Sequence, residues 1–269
     1  MASRIAYFDP VAGAAGDMIN AALLDAGADL AAVQAAISGI AIAGLRVSVS
    51  VVMKGAIGAL KFVVAANEAE LPDHLGPDDL LALIARARVS ATVQRRASAI
   101  IERLAEAEAQ VHRVPRAEVH FHELGGLDTV ADVLGAMVAL ESLGIEQCFT
   151  GPLPASAGLW GMAHGPLPLP APATLEIIAR GGLAVVAAPA ILPRDMELVT
   201  PTGAAILAEV ARPGLPAMTV ARVGYGAGTR DLPIPNVVRV WVGELLTASP
   251  PSGEAVTERA SHIEQGELG

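Results

Sequence analysis

The chain holds a single cysteine, Cys148, among 269 residues, so no disulfide can form within it. Aromatic residues make up 3% of the sequence, which leaves few platforms on which nucleic-acid bases might stack. Lys and Arg number 18 against 28 Asp and Glu, a net charge of −10, and this excludes a general grip on phosphate backbones. Apolar residues reach 53%, yet no run approaches the roughly 18 needed to cross a bilayer. The richest stretch, L-A-V-V-A-A-P-A-I-L-P (183–193), is short and broken by proline. The opening M-A-S-R-I-A-Y-F-D-P has no apolar core, so no signal peptide and a cytoplasmic location are expected. Neither a nucleic-acid nor a membrane partner is expected. No serine or cysteine nucleophile with a histidine partner stands out.

What is present alternates between strand and helix patterns. R-I-A-Y-F-D (4–9) reads as a strand, and A-A-G-D-M-I-N-A-A-L-L-D-A-G (14–27) as a helix stopped by Gly27. Val47, Val49 and Val51 alternate with Ser48 and Ser50, the mark of a half-buried strand. K-G (54–55) turns it into A-L-K-F-V-V-A (59–65) as a hairpin. Val93, Ala97, Ile100, Leu104, Ala107 and Val111 recur at three- and four-residue steps, predicting a helix over 91–112. A-E-V-H-F-H (117–122) reads as a strand, and 128–144 as a helix with Asp128 as N-cap. Six of the 19 prolines fall in 151–173, which predicts an irregular, ordered loop. Pro201 opens a helix over 200–210, and V-V-R-V-W-V-G-E (237–244) is a last strand. The fold class is therefore α/β (α+β): a mixed sheet with one antiparallel hairpin and helices packed on it, in one domain over 1–245. Residues 246–269, short of aliphatics, are expected to be a disordered tail.

Chemistry concentrates in five places. In H-F-H-E-L-G-G-L-D-T-V-A-D (120–132), strand geometry would put His120 and His122 on one face, roughly 6.5–7 Å apart at Cα. Imidazoles so spaced can share zinc or nickel, with Glu123 as ligand or orienter. The bland alternative is an exposed pair on an edge strand, with Asp128 a cap. Asp128 and Asp132 lie one helical turn apart. In F-D-P-V-A-G-A-A-G-D-M (8–18), Gly13 and Gly16 can bring backbone N–H groups to a phosphate at a helix start, and Asp9 and Asp17 can hold a divalent cation. An ordinary strand–loop–helix connection is the competing reading. His164 sits at the mouth of a proline loop. Thr200, Thr202 and Gly203 surround a helix start that is either a cap or an anion site. G-Y-G-A-G-T-R-D (224–231) offers Arg230 as a bidentate clamp, or else a glycine turn.

Taken in order, five motifs resemble the LarC family of nickel insertion proteins, over about residues 4–244. They are the glycine loop ending in G-D-M, V-H-F-H-E-L-G-G-L-D-T-V-A-D, H-G-P-L-P-L-P-A-P-A-T-L-E, E-L-V-T-P-T-G-A-A and G-Y-G-A-G-T-R-D. The resemblance implies a nickel chelatase of the lyase class. It would place nickel into pyridinium-3,5-bisthiocarboxylic acid mononucleotide, making the nickel-pincer cofactor used by lactate racemase, with CTP and magnesium or manganese. It implies that His120, His122, Glu123 and His164 hold or deliver nickel. Gly13, Gly16, Thr200, Thr202, Gly203 and Arg230 would receive the anionic nucleotide. Asp9, Asp17 and Asp128 become the candidate bases for the pyridinium proton. Three features depart from the family: His74 stands alone where a histidine-rich loop is common, Pro10, Ala12 and Ala15 replace hydroxyl or thiol side chains, and the second, C-terminal domain common in the family is expected either from a separate subunit or to be dispensed with in a protein that does not itself use CTP. A non-catalytic nickel-binding metallochaperone is the alternative from the binding class, and an unrelated metal-dependent hydrolase is a third. The high apolar content is compatible with a homo-oligomer.

Overall fold

A computed structural model describes residues 3–66, 75–119, 121, 126–162 and 165–246, with the side chain of Met162 left aside. The described residues open with β1 (Arg4–Asp9), α1 (Gly16–Asp25) and α2 (Leu30–Ser38). The hairpin β2 (Arg46–Lys54) and β3 (Ile57–Ala65) precedes α3 (Pro77–Arg86), α4 (Ala91–His112) and α5 (Gly126–Ser142). Short strands β4 (Gln147–Thr150), β5 (Leu153–Ala155), β6 (Leu159–Met162) and β7 (Gly165–Pro168) lead to α6 (Pro172–Gly181) and β8 (Val185–Ala187). The described residues close with α7 (Pro201–Val210), β9 (Ala211–Pro213), β10 (Met218–Ala227) and β11 (Val237–Leu245).

Seven strands form a mixed sheet in the order β2-β3-β10-β11-β1-β4-β9. β1 lies inside it, antiparallel to β11 and parallel to β4, which is why Ile5, Ala6 and Phe8 are fully buried. β5, β6 and β7 fall in the region expected to be irregular, where β6 pairs with β7 and β5 pairs with the later β8 to make two small sheets. Proline density there reflects short strands rather than their absence.

The helices divide by sequence pattern. α5 is buried at every residue from Thr129 to Leu140 and is apolar there except for Thr129 and Asp132, the pattern of a central helix. α4 buries Val93, Ala97, Ile100, Leu104 and Ala107 along one stripe and keeps Arg95 exposed. Ser90 caps it by accepting from the Val93 N–H at 3.1 Å, and Arg113 ends it in the left-handed conformation.

α1 lies directly on β10. Side chains at Gly224 and Gly226 would be 2.6 Å from Ala26 N and 2.5 Å from Ala22 N, so these glycines clear space for the helix backbone. Of the two readings of 224–231, the glycine turn does not hold for its first half: Gly224 and Gly226 are strand residues facing a helix.

Two local expectations also change. Arg116–Glu118 form a 3-10 turn, not the start of a strand, with the Glu118 N–H donating to Pro115 O at 2.9 Å. Arg116 draws this segment onto its neighbours through ion pairs with Glu102 and Asp78, each at 2.7 Å. α5 starts at Gly126, so Asp128 belongs to its first turn rather than capping it.

Candidate functional site

The loop that leaves β1 and the segment that enters α7 are knitted together. Ala14 and Val199 form a parallel bridge, the Ala14 N–H donates to Leu198 O at 3.0 Å, and the Thr200 N–H donates to Ala14 O at 3.0 Å. Gly13 has φ +115, and a side chain there would come within 2.7 Å of the Leu198 carbonyl carbon. A side chain at Gly203 would come within 2.7 Å of the Ala14 carbonyl carbon. Two motifs about 190 residues apart in sequence thus form one unit, and glycine is required where their backbones touch.

The bonds that build this unit occupy some of the groups expected to meet an anion. The Gly13 N–H donates to Pro10 O at 2.9 Å, and the Gly203 N–H donates to the Thr200 hydroxyl at 3.1 Å. Thr200 is the N-cap of α7, and Thr202 is buried behind it.

Beside this unit lies an open cleft of about 230 Å³. Asp17, Glu197, Thr200, Thr229, Arg230 and Asn236 supply its polar lining, and Ala12, Ala15 and Met18 much of the rest. Asp17 pairs with Lys61 of β3, whose ammonium also donates to the Thr229 hydroxyl at 2.8 Å. Lys54 of β2 holds the same loop, donating to Thr229 O at 3.3 Å, to Arg230 O at 3.2 Å and to Asp231 at 2.7 Å. The Asn236 amide donates to Arg230 O at 2.9 Å. The β2–β3 hairpin is therefore the backing of the cleft, and its two lysines fix the 228–231 loop. Arg230 projects from that loop and lies 4.2 Å over the Trp160 ring.

Asp132 of α5 packs against the start of α1. Its carboxyl is buried, accepts the Asp17 backbone N–H, and leaves Oδ1 without a hydrogen-bond partner. Burial pushes its pKa well above the usual carboxylate range; the charges of Asp17 and Asp128 add to this, and Lys61 opposes it. Asn20 ties the two helices by donating to Gly16 O at 2.9 Å and to Asp132 O at 2.8 Å. Asp9, at the end of β1, is gripped by Arg239 of β11, with Nε at 2.9 Å. Burial, then the Asp9 charge, raises the pKa of nearby Tyr7.

Of the candidates named from sequence, Asp17, Thr200 and Arg230 converge on the cleft, and Gly13, Gly16 and Gly203 shape the backbone beside it. Asp128 acts electrostatically on Asp132 within α5, whereas Asp9 belongs to its own pair with Arg239. His120, His122, Glu123 and His164, the expected nickel ligands, lie outside the described residues, as do His74 and residues 247–269. Among the described residues no three His, Cys, Asp or Glu side chains gather as a metal site. Lys61, Lys54 and Trp160 escaped the sequence reading. Lys61 sits in an ordinary strand pattern, and its partner Asp17 is 44 residues away.

A family described as nickel insertion protein matches residues 6–266. A protein of Thermomicrobium roseum named "Putative nickel insertion protein" is 44% identical over 256 residues, covering 94% of this chain and 61% of that protein. A protein of the same name from Dictyoglomus thermophilum is 39% identical over 254 residues, covering 94% of this chain and 64% of the relative. A Desulfitobacterium hafniense protein named pyridinium-3,5-bisthiocarboxylic acid mononucleotide nickel insertion protein is 38% identical over 244 residues, covering 90% and 59%. The chain thus spans between 59% and 64% of the length of these relatives. No solved structure matches it. The chain belongs to the nickel insertion protein family.

Proposed function

For a member of the nickel insertion protein family, we propose that this chain takes part in placing Ni²⁺ into pyridinium-3,5-bisthiocarboxylic acid mononucleotide, and that the cleft beside α1 receives that substrate. The carrying observation is the convergence of Asp17, Thr200 and Arg230 on one cleft, in a chain whose family match runs from residue 6 to 266. The work is cytoplasmic nickel chelation of the lyase class, the product being the pincer cofactor that lactate racemase uses. The relatives extend beyond the matched region, and their remaining part, as a C-terminal domain or subunit, is the proposed partner.

Insertion breaks a pyridinium C–H bond and forms a C–Ni bond. The proton must leave to a base, and the carbon keeps the electron pair that binds the metal. The two thiocarboxylates add their sulfur bonds, and nickel keeps its charge state. In this reading His120, His122, Glu123 and His164 deliver the ion. Asp17, fixed by Lys61 at the cleft, is the base favoured by position; Asp128 belongs to the same charge cluster. Gly13, Gly16, Thr202 and Gly203 set the backbone against which the nucleotide rests. The described acids do not fit a magnesium or manganese site for CTP, because Lys61 takes Asp17, Arg239 takes Asp9 and Asp132 is buried. No step here runs through CTP.

Incubating the purified chain with the mononucleotide and NiCl₂, with and without CTP and Mg²⁺, tests the proposal through the absorbance of the nickel product. Formation of product supports it. Nickel binding with no product under any condition favours the second reading, a nickel-binding accessory without turnover, which the cationic partners of Asp9 and Asp17 support.

A further inference from the structure

Arg230 stands out among the cleft residues. The strand β6 brings Trp160 under it, and the guanidinium carbon lies 4.2 Å from the ring centroid, close enough for cation–π attraction. The backbone beneath Arg230 is held by Lys54 and Asn236. Its guanidinium has no carboxylate partner among the described residues, although Asp231 is adjacent; Lys54 takes that acid. A planar cation is thus pinned by an indole on one face at the rim of a cleft, with N–H donors that no described residue takes.

We propose that Arg230, held by Trp160, is the platform that binds the carboxylate-bearing aromatic ring of the substrate, and that Trp160 is a positioning residue acting through it. This rests on the function proposed above and identifies which part of the substrate this rim reads. A ring carboxylate or thiocarboxylate is planar and takes two parallel N–H donors from a guanidinium, with the aromatic ring extending the stack that Trp160 begins. A flexible lysine would supply charge without a plane. A tetrahedral phosphate takes the charge and gains nothing from the stacking.

The chain has two tryptophans, and Trp241 packs on Tyr7 with centroids 4.9 Å apart, away from the cleft lining. In the full chain carrying Trp241→Phe, fluorescence therefore reports Trp160 alone. Titration with pyridine-3,5-dicarboxylate is expected to change that emission saturably. Arg230→Gln should weaken the dissociation constant roughly ten- to a hundredfold, the weight of a charged bidentate contact. By calorimetry, Trp160→Phe should stay within about threefold of the parent, while Trp160→Ala falls toward Arg230→Gln. Inorganic phosphate should compete at least about tenfold more weakly than the dicarboxylate.

A saturable signal lost in Arg230→Gln supports the platform. Absence of a saturable signal, affinity unchanged in Arg230→Gln, equal competition by phosphate, or Trp160→Phe no better than Trp160→Ala overturns it. The nickel insertion assay separates this from the broader function. Binding through Arg230 without nickel product sinks the function and leaves the platform standing. Nickel product with an unchanged KM in Arg230→Gln does the reverse.

Discussion

Gly16→Ala is the sharpest perturbation of the frame that carries the cleft. A methyl group there would lie 2.7 Å from Asp132 Cβ and 2.8 Å from Asp132 Cγ, with Oδ2 nearer still. Ordinary contact begins at 3.4 Å, so the atoms must part by at least 3.4 − 2.7 = 0.7 Å. Asp132 has no easy retreat: it is buried, its carboxyl accepts the Asp17 N–H, and Asn20 bonds to both Gly16 O and Asp132 O. The strain therefore falls on the α1–α5 spacing. Overpacking of this kind costs about 1–3 kcal/mol. Stretching a buried Asn20 hydrogen bond adds about 1 kcal/mol. The better helix propensity of alanine returns up to about 1 kcal/mol. A net loss of about 1–3 kcal/mol is expected. Urea unfolding measures it, with Gly161→Ala, which has nothing within 4 Å, as a control expected within about 0.5 kcal/mol of the parent. Asp132→Ala removes Cγ and Oδ2 but leaves Cβ, so in that background the cost should shrink by about 1 kcal/mol without vanishing. The reasoning fails if Gly16→Ala costs under about 0.5 kcal/mol, or costs the same with and without the Asp132 carboxyl.

Three further outcomes are expected. Cys148 is buried, and burial pushes its thiol up to about 12, so an aromatic disulfide reagent at pH 8 should leave the native chain unmodified and titrate one thiol after denaturation; rapid native labelling would contradict the burial. Asp132 binds its proton more tightly folded than unfolded, so the unfolded chain carries fewer protons above the ordinary aspartate value of about 4 and stability should fall as pH rises from there toward the raised folded value; Asp132→Asn should flatten that slope, and parallel slopes would refute it. Replacing both His120 and His122 with alanine should lower nickel stoichiometry in equilibrium dialysis, and unchanged stoichiometry and affinity would remove them as ligands.

Sequence patterning identified the elements whose periodicity is carried by their own residues. β1 over 4–9 and α4 over 91–112 stand where the apolar spacing puts them, and the β2–β3 hairpin follows from alternating Val and Ser. α2, α3 and α6 were not singled out. α2 has a simple signal in Asp29, whose side chain accepts from the Ala31 and Ala32 N–H groups, but its alanine-rich run carries little contrast between faces. The end of β10 was not recognised as strand, because the glycines of 224–231 look alike whether they bend a chain or make room for a helix. At the site, the residue types of Asp17, Thr200 and Arg230 were legible. Their company was not: Lys61 meets Asp17, and Trp160 meets Arg230, only after the chain has folded. Asp132 was read as a possible companion to a metal site, whereas its environment, set by α1, makes it a buried proton-holding group.

The seating of α1 on the bare backbone of Gly224 and Gly226 has one more implication. Because main chain touches main chain there, the depth of the cavity mouth behaves as a fixed dimension with no side chain available to adjust it by degrees. A change in that depth has to come from the opposite bank, where Arg230 of the 228–236 loop meets Trp160 of β6. Engineers seeking altered ligand preference would do best to vary those two segments and leave the helix and its glycine bed alone.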